Sequence, residues 1–273
     1  MKTYYKVAMP SGWDFHTGKT INYRENIGKV VKCPTGTANY NGYQLCTESV
    51  IHASLKAIDA LSYALSFGKI PCSLYVVEGK PVVEDETKAG FASFKVIEEV
   101  AEADFDRCFG LKYQEVLHPF DPRKVEFASS IEAELTELKQ WASVRASVWD
   151  SVRASVWDSV WASVRDSVWA SVRASVWDSV WASVRDSVRD SVWASVWDSE
   201  AAYIGSLFTG VKKWKYTKKV KVKGYPFQPC VNLIKKGLIP ITDYDGNWWL
   251  IGFRNEKAQV MWKGRLDGRE VVE

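Results

Sequence analysis

Residues 141–160 read WASVRASVWDSVRASVWDSV, and the same pattern runs on to Glu200: fifteen copies of one four-residue word, (Trp/Arg)-(Ala/Asp)-Ser-Val, broken only where Glu200 takes the last valine's place. In an α-helix each residue turns about 100°, so each valine sits about 40° round from the one before and the stripe circles the helix in about nine words, about 54 Å of axis. A period of 4.0 residues lies well beyond the roughly 3.67 of right-handed supercoils. A long straight helix of these words therefore has no constant buried face. It must be wrapped by partners or broken into shorter helices that pack on one another. The alternative is a β-solenoid: Val and Trp favour strands, Ser and Asp favour corners, and stacked coils bury what one coil cannot. Against this, no Gly or Pro marks a corner and both flanks read as helix. The expected fold class is α+β, with two small α+β domains flanking a repetitive helical tract; a β-solenoid tract stays open as the alternative.

The tract has a second order. Its Trp/Arg choices divide it into three near-copies of a twenty-residue block, 141–160, 161–180 and 181–200. Nine Trp and six Arg stand against seven Asp and Glu200, so the tract is close to neutral. On a helix, Trp141–Arg145 and Arg145–Trp149 are i,i+4 neighbours placed for cation–π contact, and Asp150–Arg153 and Asp186–Arg189 are placed for i,i+3 ion pairs. One reading packs Trp inside with Arg and Asp as solvated trim. The other makes the tract an interaction surface, because Trp and Arg are the residue types that anchor interfaces. That surface comprises Trp141, Arg145, Trp149, Arg153, Trp157, Trp161, Arg165, Trp169, Arg173, Trp177 and Trp181. Base stacking on the tryptophans is a narrower version, weakened by aspartates that cancel the positive field.

Working outward, residues 1–118 read as an N-terminal α+β domain. Tyr4–Met9, Lys29–Lys32, Cys72–Val77 and Ser93–Ile97 have strand composition, and Ser49–Phe67 reads as an amphipathic helix, with Ile51, Leu55, Ile58, Leu61 and Leu65 at three- and four-residue spacing and Gly68 as its stop. The run His118-Pro119-Phe120-Asp121-Pro122 breaks regular structure, so 119–128 is a linker. Residues 129–208 form the tract with helical flanks: Ser129 or Ser130 caps a helix whose Ile131, Leu135, Leu138 and Ala142 run in register into the repeat, and Ala201–Phe208 continues it. Residues 209–273 are a basic α+β module, with a helix near Pro226–Lys236, strands at Ile239–Asp243, Trp248–Phe253 and Val260–Lys263, and turns at Asp245-Gly246 and Asp267-Gly268.

Composition bounds the functional classes. The 273 residues carry a formal charge of +3, unevenly placed: fourteen Lys/Arg against six Asp/Glu from Val211 onward, and an acidic run at Val96–Asp106. Five cysteines (Cys33, Cys46, Cys72, Cys108 and Cys230) are scattered without a C-x-x-C pair, which suits reduced thiols better than a disulfide framework. The opening residues lack the apolar run of a signal peptide, and no stretch is apolar enough for a membrane span. The expected setting is the cytoplasm of a bacterial or phage-infected host cell.

Sites for chemistry are few. Val211–Lys223, VKKWKYTKKVKVK, holds seven lysines and no acid. Lys212, Lys213, Trp214, Lys215, Tyr216, Lys218, Lys219, Lys221 and Lys223 make a basic aromatic stripe suited to nucleic acid or another anionic partner. The plainer reading is a hairpin whose lysines protect an exposed edge, or a segment attracted to the acidic run around Glu98 and Glu99. Cys46 and His52, six apart, could pair as thiolate and imidazole, although a buried structural Cys beside an incidental His is the ordinary arrangement. His16 and His118 lack ligand-spaced partners, Glu84-Asp85-Glu86 reads as a polar turn, and no phosphate-binding glycine loop occurs. No catalytic residue, cofactor or metal is expected.

The opening Tyr-Lys-Val strand, GYQLCTESVIHASLKAIDAL (42–61) and SLYVVEGKPVVEDETKAGFASFKVIEEV (73–100) resemble an uncharacterised domain common in phage and phage-like bacterial genomes. The tract, its exit Ala202–Phe208, KKWKY and YPFQPCVNLIKKGLIP (225–240) resemble other metagenomic proteins with tetrapeptide tracts. The resemblance touches most of the chain and implies no reaction. The order of strands and helix in residues 1–118 is also faintly similar to ADP-ribosyltransferase-like folds, whose His/Arg, Ser-Thr-Ser and Glu motifs are not placed in this sequence. The expected function is a non-enzymatic structural or interaction protein of phage origin that self-associates or binds a protein partner through the repeat. An ADP-ribosyltransferase-like enzyme in residues 1–118 and nucleic-acid binding through 211–223 are the alternatives.

Overall fold

A computed structural model describes residues 2–35, 42–127, 130–156, 164–165, 189–217 and 224–267, with 189–193 described as backbone only. The fold mixes helices with antiparallel sheets and divides into two compact units, Met1–Tyr113 and Gln114–Glu273. The second unit gathers into one body the helical flanks of the tract and the basic C-terminal segment, which read as separate stretches of sequence.

In the first unit β1 (Thr3–Ala8), β2 (Val30–Lys32), β4 (Ser73–Glu78) and β7 (Ser93–Glu99) form an antiparallel sheet in the order β1-β4-β7-β2. A second sheet, β3-β6-β5, is built from β3 (Ile51–Ala53), β5 (Val83–Glu84) and β6 (Ala89–Phe91). Aromatic side chains fill the core. Tyr4 on β1 meets Phe91 on β6 edge-to-face at 4.9 Å, and Phe91 meets Phe94 on β7 at 5.5 Å, geometries that add to the burial of the rings themselves.

The expected helix over Ser49–Phe67 is corrected here. Its first part is β3, with Ile51 opposite Phe91 and Ala53 opposite Ala89, and only Ala57–Ser66 is helical (α1). Leu55, which the helical spacing counted as core, is exposed. The face that α1 buries is Ala57, Ala60, Leu61, Ala64 and Leu65. The three- and four-residue spacing of Ile51, Leu55 and Ile58 was a coincidence of a strand followed by a helix. Gly68 does end α1, at φ 62°, where a Cβ would be strained. A short helix, α2 (Phe105–Phe109), follows β7, and another, α3 (Tyr113–Leu117), starts at the last residue of this unit and runs into the second.

The second unit contains α4 (Ile131–Val144), a 3₁₀ turn at Arg145–Ser147, α5 (Val148–Ser155), α6 (Arg189–Leu207), α7 (Gln228–Lys235) and an antiparallel sheet in the order β10-β9-β8. The strands are β8 (Ile239–Thr242), β9 (Asn247–Arg254) and β10 (Lys257–Arg265). The β8–β9 turn uses Gly246 at φ 82°, as Asp245-Gly246 signals. The β9–β10 turn falls on Asn255 and Glu256, both at positive φ, a pairing without glycine that carries no strong sequence signal.

The described residues of the tract, 141–156, 164–165 and 189–200, are helical except near the two breaks in the first segment. Those breaks bear on the 40° drift. Val144, Val148, Val152 and Val156 are all buried, yet the helix is interrupted at Arg145–Ser147 and ends at Val156, whose φ of −109° and ψ of 139° are extended. Short helices can each find a partner for their valines where one straight rod could not.

Gly205 on α6 is a close-approach point: a Cβ there would collide with the Tyr225 hydroxyl and lie 3.0 Å from Val152 Cγ2. Gly205→Ala is expected to destabilise the second unit by about 1–3 kcal/mol, read as a lower denaturation midpoint followed by tryptophan fluorescence. Thirteen of the fourteen tryptophans lie beyond residue 113, so this signal reports the second unit. An unchanged midpoint would show that α5 and α6 do not pack at this point.

Candidate functional site: the anchored ends of the repeat tract

Both ends of the tract are built into the second unit. Trp141 in the first word is fully buried and meets Phe227 edge-to-face at 6.5 Å. The interaction surface loses this member: Trp141 is core, and among the described residues its indole N–H has no hydrogen-bond partner. Arg145 in the second word forms an ion pair of 2.7 Å with Asp198 in the last word, and its guanidinium lies 5.9 Å from the Trp248 ring centre. Its aromatic partner is thus on β9, rather than the helical neighbours that the i,i+4 spacing offers. Trp149 and Trp197 stack at a tilt, 6.0 Å apart. Contacts advance in the same direction along both segments, from Arg145–Asp198 to Val152–Gly205. The segments therefore share polarity, and the tract does not close as an antiparallel hairpin at its base.

The serine of the word has a specific task here. β8 is the end strand of its sheet. Ser195 Oγ donates to the Thr242 carbonyl at 3.0 Å and accepts from the Thr242 N–H at 3.1 Å. Ser199 Oγ donates to the Ser195 carbonyl at 3.0 Å and also lies 3.3 Å from the Pro240 carbonyl. Two successive words thus satisfy an open strand edge, whose other outward position is a proline that has no N–H to satisfy.

Of the other tract positions, Trp149 and Arg165 are half-buried and Arg153 is exposed, while Trp157, Trp161, Trp169, Arg173, Trp177 and Trp181 lie outside the described residues. In the basic segment Lys212, Lys213 and Lys215 are exposed, Tyr216 is 67% exposed, and Trp214 is half-buried against Tyr225 with ring centres 4.9 Å apart. Residues 211–217 form no strand; Lys218, Lys219, Lys221 and Lys223 lie outside the described residues. The acidic run finds local partners: Glu99 holds Arg24 at 2.6 Å and Asp104 holds Arg107 at 3.0 Å.

In the first unit Cys46 and His52 do meet, though not as thiolate and imidazole. The Cys46 backbone N–H donates to His52 Nε2 at 2.8 Å, so that nitrogen is unprotonated and engaged. The thiol's own partner is Lys88, whose Nζ donates to Cys46 Sγ at 3.3 Å, and Cys46 is exposed rather than buried. Burial, with the nearby Lys6 and Lys88 ammonium groups, lowers the His52 imidazole to about 4. Alongside, Tyr63 and His16 share a hydrogen bond of 2.5 Å and line a small pocket with Phe15, Ala64, Phe67 and Lys69. Deeper in, the Lys6–Asp14 pair (3.2 Å) is buried; burial tends to raise the Asp14 carboxyl, but Lys6 and the His16 N–H outweigh it and hold it below the usual range. The sequence offered only the Cys46–His52 proximity. Lys88 and Tyr63 carry no local signal, because β6 and α1 bring them in from a distance. Among the described residues no group of three His, Cys, Asp or Glu side chains assembles to hold a metal, and no helix is long and apolar enough to cross a membrane.

Comparison with protein-family models, curated proteins and solved structures finds no match to this chain.

The two units are expected to respond oppositely to acid. The His52 imidazole is lowered from 6.5 to about 4, so its contribution to the first unit is complete above pH 6.5 and is lost as pH falls toward 4. Burial pushes the Asp198 carboxyl from 3.8 up to about 6 despite Arg145. Its contribution to the second unit is therefore complete below pH 3.8 and is lost as pH rises through 6. Denaturation followed by tryptophan fluorescence between pH 4 and 7 should show Asp198→Asn flattening the pH dependence of the second unit. His52→Gln should leave that dependence alone. The same slope with and without Asp198 would rule out this assignment.

Proposed function

We propose that the chain is a structural or interaction protein of phage origin. Its second unit anchors the two ends of the tetrapeptide tract, and the words between them present Trp and Arg for self-association or a protein partner. The carrying observation is the anchoring itself. Trp141, Arg145 and Val152 at one end, and Ser195, Asp198 and Ser199 at the other, are committed to one body. Each word between the anchors repeats the same two binary choices, which suits a surface tuned by length and composition better than a unique reaction centre. Trp and Arg at every fourth position are the types that dominate interface energetics.

The separation of anchor from surface yields a test. Deleting 166–185, twenty residues in register with the word, leaves every anchor named above in place, together with the buried Val164. Shortening the connection changes loop-closure entropy by only about 1 kcal/mol. The deletion is expected to leave the fluorescence-detected stability of the second unit within that range while converting an assembled species to monomer in light scattering. Trp141→Ala, by contrast, is expected to cost about 3–5 kcal/mol as a core truncation. A second unit that fails to fold without 166–185 would place those words in its core and defeat the proposal. A full chain that is itself monomeric would remove self-association from it.

A second reading, nucleic-acid binding through 211–223, is favoured by one observation: exposed Lys212, Lys213 and Lys215 sit beside the exposed Tyr216 ring. Three phosphate contacts to a single strand would give a log–log salt slope of about −2. Replacing these lysines with glutamine is expected to abolish that slope. No binding of single-stranded DNA or RNA at low salt would remove the reading.

A further inference from the structure

The small pocket of the first unit has a buried floor, Phe15 and Ala64, walls made by the rings of Tyr63 and Phe67, and a rim completed by His16 and Lys69. Its frame is held from beneath by charge. Asp14 and Lys6 are buried 3.2 Å apart, and the Asp14 carboxylate also accepts from the His16 N–H at 3.0 Å and the Tyr23 hydroxyl at 3.3 Å. Such a buried pair is seldom the most stable filling for its space; what it fixes here is the path of the chain through Phe15 and His16. The Lys69 ammonium donates to the Phe15 carbonyl, and the Tyr63 hydroxyl meets His16 Nε2 at 2.5 Å. The walls are therefore set before anything enters, as in most small-molecule sites.

Three features define the occupant. The hollow measures about 60 Å³ and opens to solvent. A closed cavity that takes benzene holds about 150 Å³, so a single ring enters in part and a larger ring system does not. Phe67 is 59% exposed, with its ring 4.7 Å from that of Tyr63; the part of a ring that stands out of the hollow would cover this wet face. The charge is one-sided. An ammonium has three N–H donors, and Lys69 spends one on Phe15. Lys88 Nζ stands 5.7 Å from the centre of the Tyr63 ring. Neither lysine is ion-paired with a carboxylate among the described residues, and Asp14 is committed to Lys6 below.

We propose that this hollow binds a small monocyclic aromatic carboxylate, its ring against Phe15, Tyr63 and Phe67 and its carboxylate on the Lys69 ammonium. Contact between rings supplies the apolar part of the affinity, and the cation selects the acid over a neutral ring of the same size. The Tyr63 hydroxyl and His16 Nε2 are engaged with each other, so they position the wall and leave the carboxylate to Lys69. The inference concerns the first unit and does not depend on the role of the tract.

Fluorine NMR titration of the full chain supplies the test, with 4-fluorobenzoate as the probe and 4-fluorobenzyl alcohol as the same ring without the charge. A ligand of this size is expected to bind with Kd of about 1 mM, and the alcohol at least about fivefold more weakly. Phe67→Ala removes an exposed wall and is expected to weaken the benzoate by about fivefold or more. Lys69→Met is expected to erase the preference for the acid while leaving the alcohol unchanged. Should Lys69→Met unfold the first unit, the unmutated chain still decides: raising salt from about 20 mM to about 0.5 M screens the cation and is expected to weaken the benzoate alone. No binding of the benzoate at about 10 mM, ten times the expected Kd, overturns the proposal. So does a benzoate affinity indifferent to Phe67→Ala, or equal affinity for acid and alcohol at low salt.

Discussion

The second unit depends on a match of lengths between a helix and a strand edge. Four residues of α-helix rise about 6 Å, and two residues of strand rise about 6.6 Å. A word with one serine every four residues therefore offers hydroxyls at almost the spacing at which a strand presents its outward main-chain groups. Ser195 and Ser199 use this match on Thr242 and Pro240. An unpaired strand edge is a liability, prone to pairing with other chains, and here α6 covers it with side chains that the repeat supplies automatically. Hydroxyl-to-backbone bonds of this kind contribute about 1 kcal/mol each, and more is at stake if the buried groups are left unsatisfied.

The same repeat limits how far the match can extend. Each further word turns the serine by about 40°, so a third serine on the same helix points well away from the edge. Contact with a flat partner can hold for about two words before the face rotates off. This explains why Val144, Val148 and Val152 are buried from short lengths of helix, and why the chain breaks the helix at Arg145–Ser147. The final departure from the word obeys the same logic. Beyond Ser199 the drift would carry the valine stripe onward, and there the chain abandons the repeat for Glu200-Ala201-Ala202-Tyr203. Ala201, Ala202, Tyr203 and Ile204 are all buried. A unique sequence begins where a periodic one can no longer serve the core.

Much of this was legible from residues alone. The four principal strands of the first unit, the C-terminal helix and the last three strands appear close to where alternation and turn residues place them, because hydrophobic period and Gly punctuation act locally. The α+β class followed from those elements. The helix over Ser49–Phe67 was misread because Ile51, Leu55 and Ile58 keep helical spacing by accident, while the pairing that makes Ile51–Ala53 a strand comes from Ala89–Phe91, nearly forty residues away. The Cys46 environment was hidden for the same reason. Proximity to His52 is visible in sequence, but the hydrogen bond goes to the wrong atom for a thiolate–imidazole pair, and Lys88 arrives through the β3–β6 pairing. Cation–π pairing along the tract was a sound local inference overridden by tertiary structure, because Arg145 gains more from Asp198 and Trp248 than from its helical neighbours.

That override bears on what the binary alphabet of the tract encodes. At the first position of the word, Trp141 fills the core, Arg145 makes a largely buried ion pair with Asp198, and Trp197 stands 37% exposed. Words interchangeable in sequence are thus inequivalent once anchored. A tryptophan at 145 would leave the Asp198 carboxylate buried without its cation, a cost of several kcal/mol, and an arginine at 141 would bury a charge beside Phe227. Within the anchors the choice of Trp or Arg, and of Ala or Asp, is dictated by specific partners. Between the anchors the order of Trp and Arg follows the block pattern of the sequence. Where the individual contacts lie, in the first words and the last, a change of letter must be matched by a change in its partner, which a copying rule alone does not supply.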